Sequence, residues 1–473
     1  FKQKTAYEIR LSLVGSEMCI RDRNKSVNNI INALGGTTKL ANLLGVNPSA
    51  VSNYRQKGFP ARLHLKIIAL CEEFSIPIDN DFIDKSKIPL KVIKSNSNEF
   101  LTQKSNSIMS SLSSDGYQLI DPPILVPADK VIDRLGETIV DRLFIFSQKD
   151  GIRLCLRPDL TIPTCLYYLD QGFGGEKKLY SYFGKVFQFY DEEENEPTEF
   201  TQTGIESIGD QDSLNADVEV FVKIYNALKK EGINNFKTYF GDVSLFQEFI
   251  NVLDIPELWK KSLLEKFWNE DEFKILLDEI SKKNINNDKF AERVYSLDIE
   301  SALELVRGTI NSSDGSFFAG RSLEEITDRL RKKGESYSLK PLSDSTKKLI
   351  TEFLSIKDTP SLAISGLRKL CKSLDRSLLN KIDEVEKRFE IINSNGVDFN
   401  NAIFGAEKGR DVEYYSGFLY DFAWSNNNES IYIGGGGRYD DLIKLLGSEN
   451  RIPAVGAALN LKKVERISQI ESL

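Results

Sequence analysis

The stretch from Phe183 to Gly209 constrains the fold of this chain most, because two alternating apolar arms enclose an acidic loop that contains a proline. Alternation at every second residue, with turn residues between the arms, is typical of a β-hairpin with a long tip. In the returning arm, Gln202, Gly204 and Glu206 are two residues apart and therefore share one face of the strand. An amide, a gap and a carboxylate on one face indicate a site for a small ligand with an ammonium group. The alternative is a half-solvated strand whose glutamate faces water.

Length and composition set the broad class of protein. A chain of 473 residues is long enough for two or three domains. Its hydrophobic content of 41% and charged content of 28% are typical of a soluble globular protein. The net charge of −8 argues against coating of the whole surface by nucleic acid, although a local basic module is compatible with it. Apolar runs are too short for a membrane span.

The cysteines and the histidine disfavour several chemistries. Five cysteines are scattered without a Cys-x-x-Cys pair, which predicts neither a disulfide framework nor a zinc site and favours a cytoplasmic location. The single histidine, His64, disfavours a histidine-rich metal site and a Ser-His-Asp triad in the large domain. We therefore expect no cofactor and no metal site.

The domain organisation follows from shifts in pattern along the chain. Residues 1–23 match nothing that follows and lack the features of a signal peptide, so we interpret them as a non-native leader. Residues 24–78 have a helical pattern with tight turns, and residues 79–98 have the polar composition of a linker. The large domain is predicted over residues 99–473, with a helical insertion at about residues 257–395.

Residues 24–78 resemble a helix-turn-helix domain of the Cro-like class, in which a short turn joins two short helices. Between Asn24 and Phe74, six Lys and Arg residues are opposed by Glu72 and Glu73 alone, a balance that suits contact with phosphate groups. The second helix of the pair would present five polar or basic residues to DNA: Ser49, Ser52, Asn53, Arg55 and Gln56. The alternative is a small helical bundle or interaction module that binds no DNA.

Several segments of the large domain carry a resemblance to a known family. They are, in chain order, LRPDLT at Leu156–Thr161, FTQTGIE at Phe200–Glu206, GRDVEYYSGF at Gly409–Phe418, GGGRYDDL at Gly435–Leu442 and PAVGAALNL at Pro453–Leu461. Together they resemble the catalytic core of histidyl-tRNA synthetase and its paralogues. The resemblance implies an α+β fold of the class II synthetase type, in which helices flank an antiparallel sheet, and usually a dimer.

The same resemblance implies a histidine-binding site. The family's histidine-binding positions fall on seven residues of this sequence: Asp159, Thr161, Gln202, Glu206, Arg410, Tyr414 and Tyr415. Two carboxylates in this set can pair with an α-ammonium group, and an arginine can bind an α-carboxylate through two parallel hydrogen bonds. Tyrosines supply flat walls and hydroxyls for an imidazole. For Tyr414 and Tyr415, a pair of core residues in a strand is the alternative.

The sequence departs from the synthetase pattern at the cations that would bind ATP. Gln188 and Lys463 replace two expected arginines, and the hairpin loop at residues 191–199 is acidic without Lys or Arg. A triphosphate near this loop would be repelled by about 1 kcal/mol per close pair of charges. The chain also ends at Leu473, without room for the family's anticodon-binding domain. We therefore expect no catalytic residues, no histidine activation and no tRNA charging.

Phe240–Leu253 and Leu156–Pro163 resemble the paralogues that are regulatory subunits of ATP phosphoribosyltransferase. The resemblance implies a non-catalytic homodimer in a hetero-oligomer with a short catalytic subunit, which it activates and places under allosteric feedback by L-histidine in histidine biosynthesis. Three alternatives remain: a divergent histidine-activating enzyme that uses Lys185, Arg438 and Lys463, a histidine-sensing DNA-binding regulator, and a scaffold that binds no histidine.

Overall fold

The computed structural model describes residues 27–44, 46–57, 59, 63, 67, 70–71, 74, 76, 103–132, 140, 142–190, 196–267, 269–282, 288–312, 323–409, 414–426 and 429–471. The chain divides into two compact units. One unit comprises Phe1–Phe100 with Leu303–Ile326, and the other comprises Leu101–Ala302 with Thr327–Leu473. The leader and the linker predicted from the sequence lie outside the described residues.

Short helices form the described N-terminal part of the first unit: α1 at residues 27–33, α2 at Gly36–Leu44 and α3 at Pro48–Lys57. The chain turns between α1 and α2 at Gly35 and Gly36, whose φ angles of 94° and 89° favour glycine. Pro48 is the first residue of α3. A backbone N–H at this position has no acceptor within the helix, so a proline there removes no helix hydrogen bond. Leu40 and Val51 are fully buried where the helices pack.

The second unit is built on strands that form two sheets. The strands are β1 (Gln118–Ile120), β2 (Leu125–Pro127), β3 (Ile145–Ser147), β4 (Arg153–Leu156), β5 (Lys178–Phe187), β6 (Glu199–Ile208), β7 (Phe236–Asp242), β8 (Lys357–Asp358), β9 (Ala402–Gly405), β10 (Phe418–Ser425), β11 (Ser430–Arg438) and β12 (Ala454–Asn460). The large sheet has the order β1-β5-β6-β12-β11-β10-β7-β9-β8, and the small sheet has the order β2-β4-β3.

The large sheet corrects one detail of the predicted fold. Its central pairs are antiparallel as expected, but β1 pairs with β5 in parallel and β7 pairs with β9 in parallel. The sheet is therefore mixed. The α+β class holds, because helices pack on this sheet and share its core.

The helices of the second unit cover the sheet and form the insertion. They are α4 (Gln103–Leu112), α5 (Ala128–Ile132), α6 (Thr161–Asp170), α7 (Ser213–Lys230), α8 (Val243–Val252), α9 (Glu257–Lys266), α10 (Glu270–Ser281), α11 (Lys289–Ser296), α14 (Asp344–Leu354), α15 (Pro360–Cys371), α16 (Arg376–Ser394), α17 (Leu442–Leu446) and α18 (Leu461–Glu471). Helix α12 (Ile299–Ser312) begins in this unit, and α13 (Leu323–Ser338) belongs to it from Thr327 onward. Among the helices described, none has both the length and the apolar character that crossing a membrane requires.

The hairpin predicted within Phe183–Gly209 is confirmed, and so is a shorter one, which the alternation of Phe144–Phe146 and Ile152–Leu156 around turn residues Gln148–Gly151 predicts. β5 and β6 pair antiparallel from Lys178 opposite Ile208 to Phe187 opposite Glu199. β3 and β4 also pair antiparallel, and Gly151 in their turn has a φ of 87°. These local pairings follow from period-two patterns and turn residues that the sequence displays.

Aromatic side chains join the helical insertion to the rest of the core. Phe246 of α8 stacks on Phe267 with ring centroids 4.1 Å apart, and Phe249 stacks on Phe353 at 4.0 Å. All four are essentially buried. Full burial of one such side chain contributes roughly 1.5–3 kcal/mol, so these contacts hold the insertion against α8.

Candidate ligand-binding site

A cavity of about 250 Å³ opens beside the long hairpin, and we name it the hairpin cavity. Its walls come from the start of α6, from β6, from the residues before β10, and from the facing strands β11 and β12. The volume lies just below the usual range for drug-sized ligands, so the cavity suits one small metabolite.

The structure brings most of the predicted histidine-binding residues together in this cavity. Five of them line it: Asp159, Thr161, Gln202, Tyr414 and Tyr415. Glu206 lies behind Thr161, to whose hydroxyl it is hydrogen-bonded. Arg410 lies outside the described residues. Residues 156–161, 200–206 and 414–415, which are far apart in sequence, therefore meet at one site.

Glu206 is fully buried and accepts hydrogen bonds from three hydroxyls. Its Oε1 accepts from Thr161 Oγ1 at 2.8 Å and from the Tyr182 hydroxyl at 3.0 Å, and its Oε2 accepts from the Tyr439 hydroxyl. Burial raises the pKa of Glu206 to about 7, and the hydroxyl hydrogen bonds offset part of that shift. The carboxylate thus orients Thr161 on the cavity wall.

Small residues on neighbouring strands make the room that Glu206 and its partners need. Gly456 of β12 lies directly opposite Glu206, and a Cβ at Gly456 would lie 1.4 Å from the Glu206 carboxylate oxygen. Gly204 lies opposite Tyr182, and a Cβ there would lie 2.6 Å from the Tyr182 hydroxyl. Larger residues at either position would displace the buried carboxylate or its tyrosine partner.

Asp159 projects into the cavity from the start of α6. Its Oδ1 accepts a hydrogen bond from the backbone N–H of Ile162 at 3.1 Å, so the carboxylate lies at a helix N-terminus. The backbone N–H of Leu160, the residue that follows Asp159, donates to Gln202 Oε1 at 2.8 Å. Enclosure by the protein raises the pKa of Asp159 to about 6, against the lowering effect of backbone hydrogen bonds. The described structure gives neither Asp159 nor Glu206 an ion pair.

Tyrosines form the aromatic wall of the cavity. Tyr414 and Tyr415 lie before β10 and not within a strand, which disfavours the alternative of a core strand pair. Their rings meet edge to face at 4.9 Å, and Tyr414 meets Tyr439 at 5.9 Å. Burial raises the pKa of all three hydroxyls, so they remain protonated donors.

Three cations that an ATP site would use are already paired. Lys185 pairs with Glu199 at 3.1 Å, and Lys463 pairs with Glu196 at 2.8 Å. Arg438 is buried and forms ion pairs with Asp217 and Asp440. Gln188, at an expected arginine position, donates to the Pro158 carbonyl at 2.9 Å and accepts from the Tyr190 hydroxyl at 2.7 Å. The cavity wall therefore offers the neutral amide of Gln188 and a lysine, Lys463, that is paired with Glu196.

The sequence analysis missed four residues of the site: Tyr182, Tyr432, Tyr439 and Asn460. Tyr182 could have been found, because a hairpin register places it across from Gly204. Tyr439 lies within the GGGRYDDL segment but had no assigned role. Asn460 lies within the PAVGAALNL segment but likewise had no assigned role, and Tyr432 gave no signal beyond that of an ordinary strand residue.

Arg157 of the LRPDLT segment is a structural residue. It is 2% exposed, and its guanidinium donates to the carbonyls of Lys185, at 2.7 Å, and Pro122. Its own carbonyl accepts from the Phe187 N–H at 3.0 Å. These contacts fix the loop that carries Asp159 against the hairpin.

The predicted DNA-contact residues lie on α3 of the first unit. Ser49, Ser52 and Asn53 are exposed. Arg55 is half-buried and donates hydrogen bonds to Asn28 and Asn32 within its own unit. The side chain of Gln56 lies outside the described residues.

Comparisons with known proteins identify relatives of this chain. A sequence profile of the family described as histidyl-tRNA synthetase matches residues 96–332 and 323–464. An ATP phosphoribosyltransferase regulatory subunit from Rhizobium rhizogenes is 31% identical over 360 residues, which are 73% of this chain and 92% of that protein. A protein of the same name from Allorhizobium ampelinum is 31% identical over 364 residues, or 76% and 96% of the two chains. A solved structure from Bacillus halodurans, described as an ATP phosphoribosyltransferase regulatory subunit/histidyl-tRNA synthetase, is 21% identical and covers 77% of each chain with a TM-score of 0.49.

The mixed sheet, the cavity built from the ordered segments and the profile match define the class: the chain belongs to the histidyl-tRNA synthetase family. Within that family it aligns with ATP phosphoribosyltransferase regulatory subunits over 92% and 96% of their length.

Proposed function

We propose that this chain is the regulatory subunit of an ATP phosphoribosyltransferase and binds L-histidine in the hairpin cavity. It acts in histidine biosynthesis without catalysing a reaction itself, and a separate short catalytic subunit carries out the chemistry. Occupation of the cavity by histidine shifts the assembly toward a less active state. Membership in the family of regulatory subunits supports the role, and the cavity supports the ligand.

The observation that carries histidine binding is the pair of enclosed carboxylates, Asp159 and Glu206, that have no basic partner in the described structure. Burial raises the pKa of both carboxyls, so their ionised forms carry a desolvation cost. An α-ammonium group supplies the missing positive charge. Gln202 adds an amide, and the tyrosine wall accommodates a flat ring.

Titration calorimetry with L-histidine tests this ligand. We expect saturable binding to the full chain, and at least tenfold weaker binding by Asp159→Asn, because one charge-assisted hydrogen bond contributes roughly 1.5–3 kcal/mol. Asparagine still caps a helix, so α6 is retained. Asp254→Asn, at an exposed position, is the matched control and should bind like wild type. The absence of binding by wild type, or equal affinity in Asp159→Asn, would contradict the assignment.

The non-catalytic role is supported by the paired cations around the cavity. A divergent histidine-activating enzyme would need Lys185, Arg438 and Lys463 for ATP, yet each already forms an ion pair with a carboxylate. Binding of a triphosphate would require breaking these pairs beside an acidic loop. ATP–pyrophosphate exchange should accordingly remain at background.

A homodimer is proposed from the small sheet. Leu125 and Phe146 lie opposite Leu156 and Leu154 of β4, so these apolar residues share one face, which we name the small-sheet face. Leu125 is 48% exposed and Phe146 is 41% exposed. Burial of this face against a second copy would remove apolar surface from water.

A cytoplasmic location is proposed from the cysteines. The described cysteines are buried and free: Cys71, Cys155, Cys165 and Cys371. Burial raises the pKa of the Cys155 and Cys371 thiols to about 11, which keeps them protonated and unreactive. Free thiols of this kind suit a reducing compartment.

A further inference from the structure

A second cavity, of about 650 Å³, lies within the helical insertion, and we name it the insertion cavity. Its walls come from α9, from α10, and from the second half of α13 with the residues that follow it. Among the described residues, none lines both this cavity and the hairpin cavity. The volume falls within the usual range for sites that enclose a small organic ligand.

Direct contacts hold the walls of the insertion cavity in place. Trp259 of α9 donates from its indole N–H to the carbonyl of Lys340, which follows α13, at 3.3 Å. The backbone N–H of Leu342 donates to the carbonyl of Ile280, near the end of α10, at 2.7 Å. Gly334 brings α13 close to α11, because a Cβ there would lie 2.2 Å from a carbonyl oxygen of α11. The cavity is therefore a built part of the folded insertion.

The more buried residues that line the insertion cavity are apolar or aromatic, and we name them the apolar floor. Trp259 and Ile280 are 6% and 5% exposed. Leu258, Leu276 and Leu339 are partly buried and extend this surface. A flat apolar ring placed against these side chains would remove their remaining surface from water. The floor therefore favours a ligand with an aromatic body.

Charged side chains line the exposed rim of the same cavity. The lysines are Lys261, Lys282, Lys332 and Lys333, and the glutamates are Glu265 and Glu279. Four lysines against two glutamates are an excess of two positive charges, in a chain whose net charge is −8. A phosphate monoester carries a charge of about −1.5 to −2 at pH 7 and therefore matches this excess, whereas one carboxylate matches half of it.

Glu265 interacts with lysines on two different walls of the insertion cavity. It pairs with Lys261 of α9 at 3.8 Å. Asp328 raises the pKa of Lys332 of α13 through an ion pair at 2.7 Å, and Glu265 adds to that effect. Both lysine side chains are at least half exposed, and exposed pairs of this kind contribute little to stability. An anion of higher charge can therefore take the place of Glu265.

We propose that the insertion cavity binds a small aromatic phosphate. Its ring covers the apolar floor, and its phosphate group replaces Glu265 as the partner of Lys261 and Lys332. Simple aryl phosphates and nucleoside monophosphates share this chemistry. The site is separate from the hairpin cavity, so the proposal does not depend on the regulatory function or on histidine binding.

Calorimetric titration of 1-naphthyl phosphate into the full-length chain tests the proposal. We expect saturable binding, with weaker binding of 1-naphthol, which lacks the phosphate, and of inorganic phosphate, which lacks the ring. A dissociation constant above about 1 mM for 1-naphthyl phosphate, or equal affinity for either fragment, would overturn the proposal. So would displacement of the probe by L-histidine, because it would place the probe in the hairpin cavity.

Competition then separates the two sources of this chemistry. Displacement of 1-naphthyl phosphate by adenosine 5′-monophosphate would assign the cavity to nucleotides. Displacement by phenyl phosphate alone would assign it to simpler aryl phosphates. Displacement by neither compound would contradict a site for aromatic phosphates.

The double variant Lys261→Gln/Lys332→Gln removes one charge from each of two walls. We expect it to bind 1-naphthyl phosphate roughly tenfold more weakly or worse, since one close pair of charges contributes about fivefold in affinity even in water. Lys274→Gln/Lys348→Gln is the matched control and should bind like wild type. Its two lysines are also exposed on helices and paired with a carboxylate four residues away, but they lie outside the cavity lining.

Glu265→Gln gives a change of the opposite sign. It removes the carboxylate that the phosphate replaces, so we expect it to bind 1-naphthyl phosphate about fivefold more tightly than wild type. Far-ultraviolet circular dichroism should match wild type for all three variants, since the changed residues are exposed. Equal affinity in Lys261→Gln/Lys332→Gln and its control, or no gain in Glu265→Gln, would overturn the assignment of the ligand to this cavity.

Discussion

At the scale of single residues, Glu206 carries the main electrostatic cost of the candidate site. The residue is fully buried, yet three hydroxyls direct their hydrogens at its carboxylate. Hydroxyls orient a charge but supply none of the opposite sign, so the ionised form of this buried carboxyl remains costly. In the proposed complex, a ligand ammonium near Thr161 and Asp159 would relieve that cost and couple ligand binding to the stability of the site.

The raised pKa of Glu206 predicts the pH dependence of stability. The folded-state pKa of about 7 exceeds the unfolded value of about 4.3. The group therefore contributes stability below pH about 4.3, and that contribution is lost as the pH rises through about 7. The glutamine side chain of Glu206→Gln stays neutral at every pH, so the stability of this variant does not fall for this reason as the pH rises. Relative to wild type, its free energy of unfolding should improve by roughly 3 kcal/mol between pH 4.5 and 8, since one pKa unit is worth about 1.4 kcal/mol.

Denaturant unfolding monitored by tryptophan fluorescence measures this difference. The three tryptophans, Trp259, Trp268 and Trp424, all belong to the second unit, so the signal reports on that unit. Glu390→Gln, at an exposed position on α16, is the matched control and should follow wild type at every pH. A constant difference between Glu206→Gln and wild type across this range would show that the carboxyl is not perturbed.

The sequence predicted part of the site at this scale. Period-two alternation placed Gln202 and Glu206 on one strand face, and the register of the hairpin confirms it. Alternation could not show that Glu206 lies behind the cavity wall, because its partners Tyr182 and Tyr439 are 24 and 233 residues away in sequence. Such contacts depend on strand order, which local patterns do not encode.

At the scale of elements, a buried network of charges connects the cavity strand to the insertion. Asp217 of α7 forms two ion pairs, one between its Oδ1 and Arg438 of β11 at 2.7 Å and one between its Oδ2 and Arg388 of α16 at 3.0 Å. Arg388 also pairs with Asp242 at 3.2 Å, and Arg438 pairs with Asp440 at 2.8 Å. Arg438 directly precedes Tyr439, which bonds Glu206. The network thus fixes β11, α7 and α16 relative to one another.

Asp217→Asn should destabilise the second unit by about 3–5 kcal/mol, because removal of one charge leaves two buried guanidinium groups without their shared partner. Asp254→Asn, an exposed change of the same chemistry, should stay within about 0.5 kcal/mol of wild type. Tryptophan fluorescence in guanidinium chloride measures both. A cost for Asp217→Asn no larger than that of the control would mean that the network contributes little to this unit.

The elements themselves were more predictable than their arrangement. Turn residues and alternation located the β3–β4 and β5–β6 hairpins, and helical periodicity located the helices of the insertion. The position of β12 between β6 and β11 requires pairing across some 250 residues, and the parallel pairing of β1 with β5 has no local signature. The network of ion pairs could likewise not be predicted from the sequence, because α7, α16 and β11 are distant from one another along the chain.

At the scale of the whole molecule, the exposed small-sheet face predicts self-association. Phe146→Lys places a charge at the centre of that face and should convert a dimer to a monomer in sedimentation velocity, since burial of an unpaired ammonium is strongly unfavourable. Leu362→Lys is the control, because Leu362 is 60% exposed on α15 in another part of the unit. A monomeric wild type, or a Phe146→Lys variant that remains dimeric, would contradict this interface.

The most direct test of the regulatory account is reconstitution with the short catalytic ATP phosphoribosyltransferase subunit of the same organism. We measure turnover of ATP and phosphoribosyl pyrophosphate for that subunit alone, with this chain, and with this chain plus L-histidine. The account predicts activation by the chain and inhibition of the assembly by histidine, with Asp159→Asn still activating but at least tenfold less sensitive to histidine. Turnover that is indifferent to the chain, or unchanged histidine sensitivity in Asp159→Asn, would contradict it.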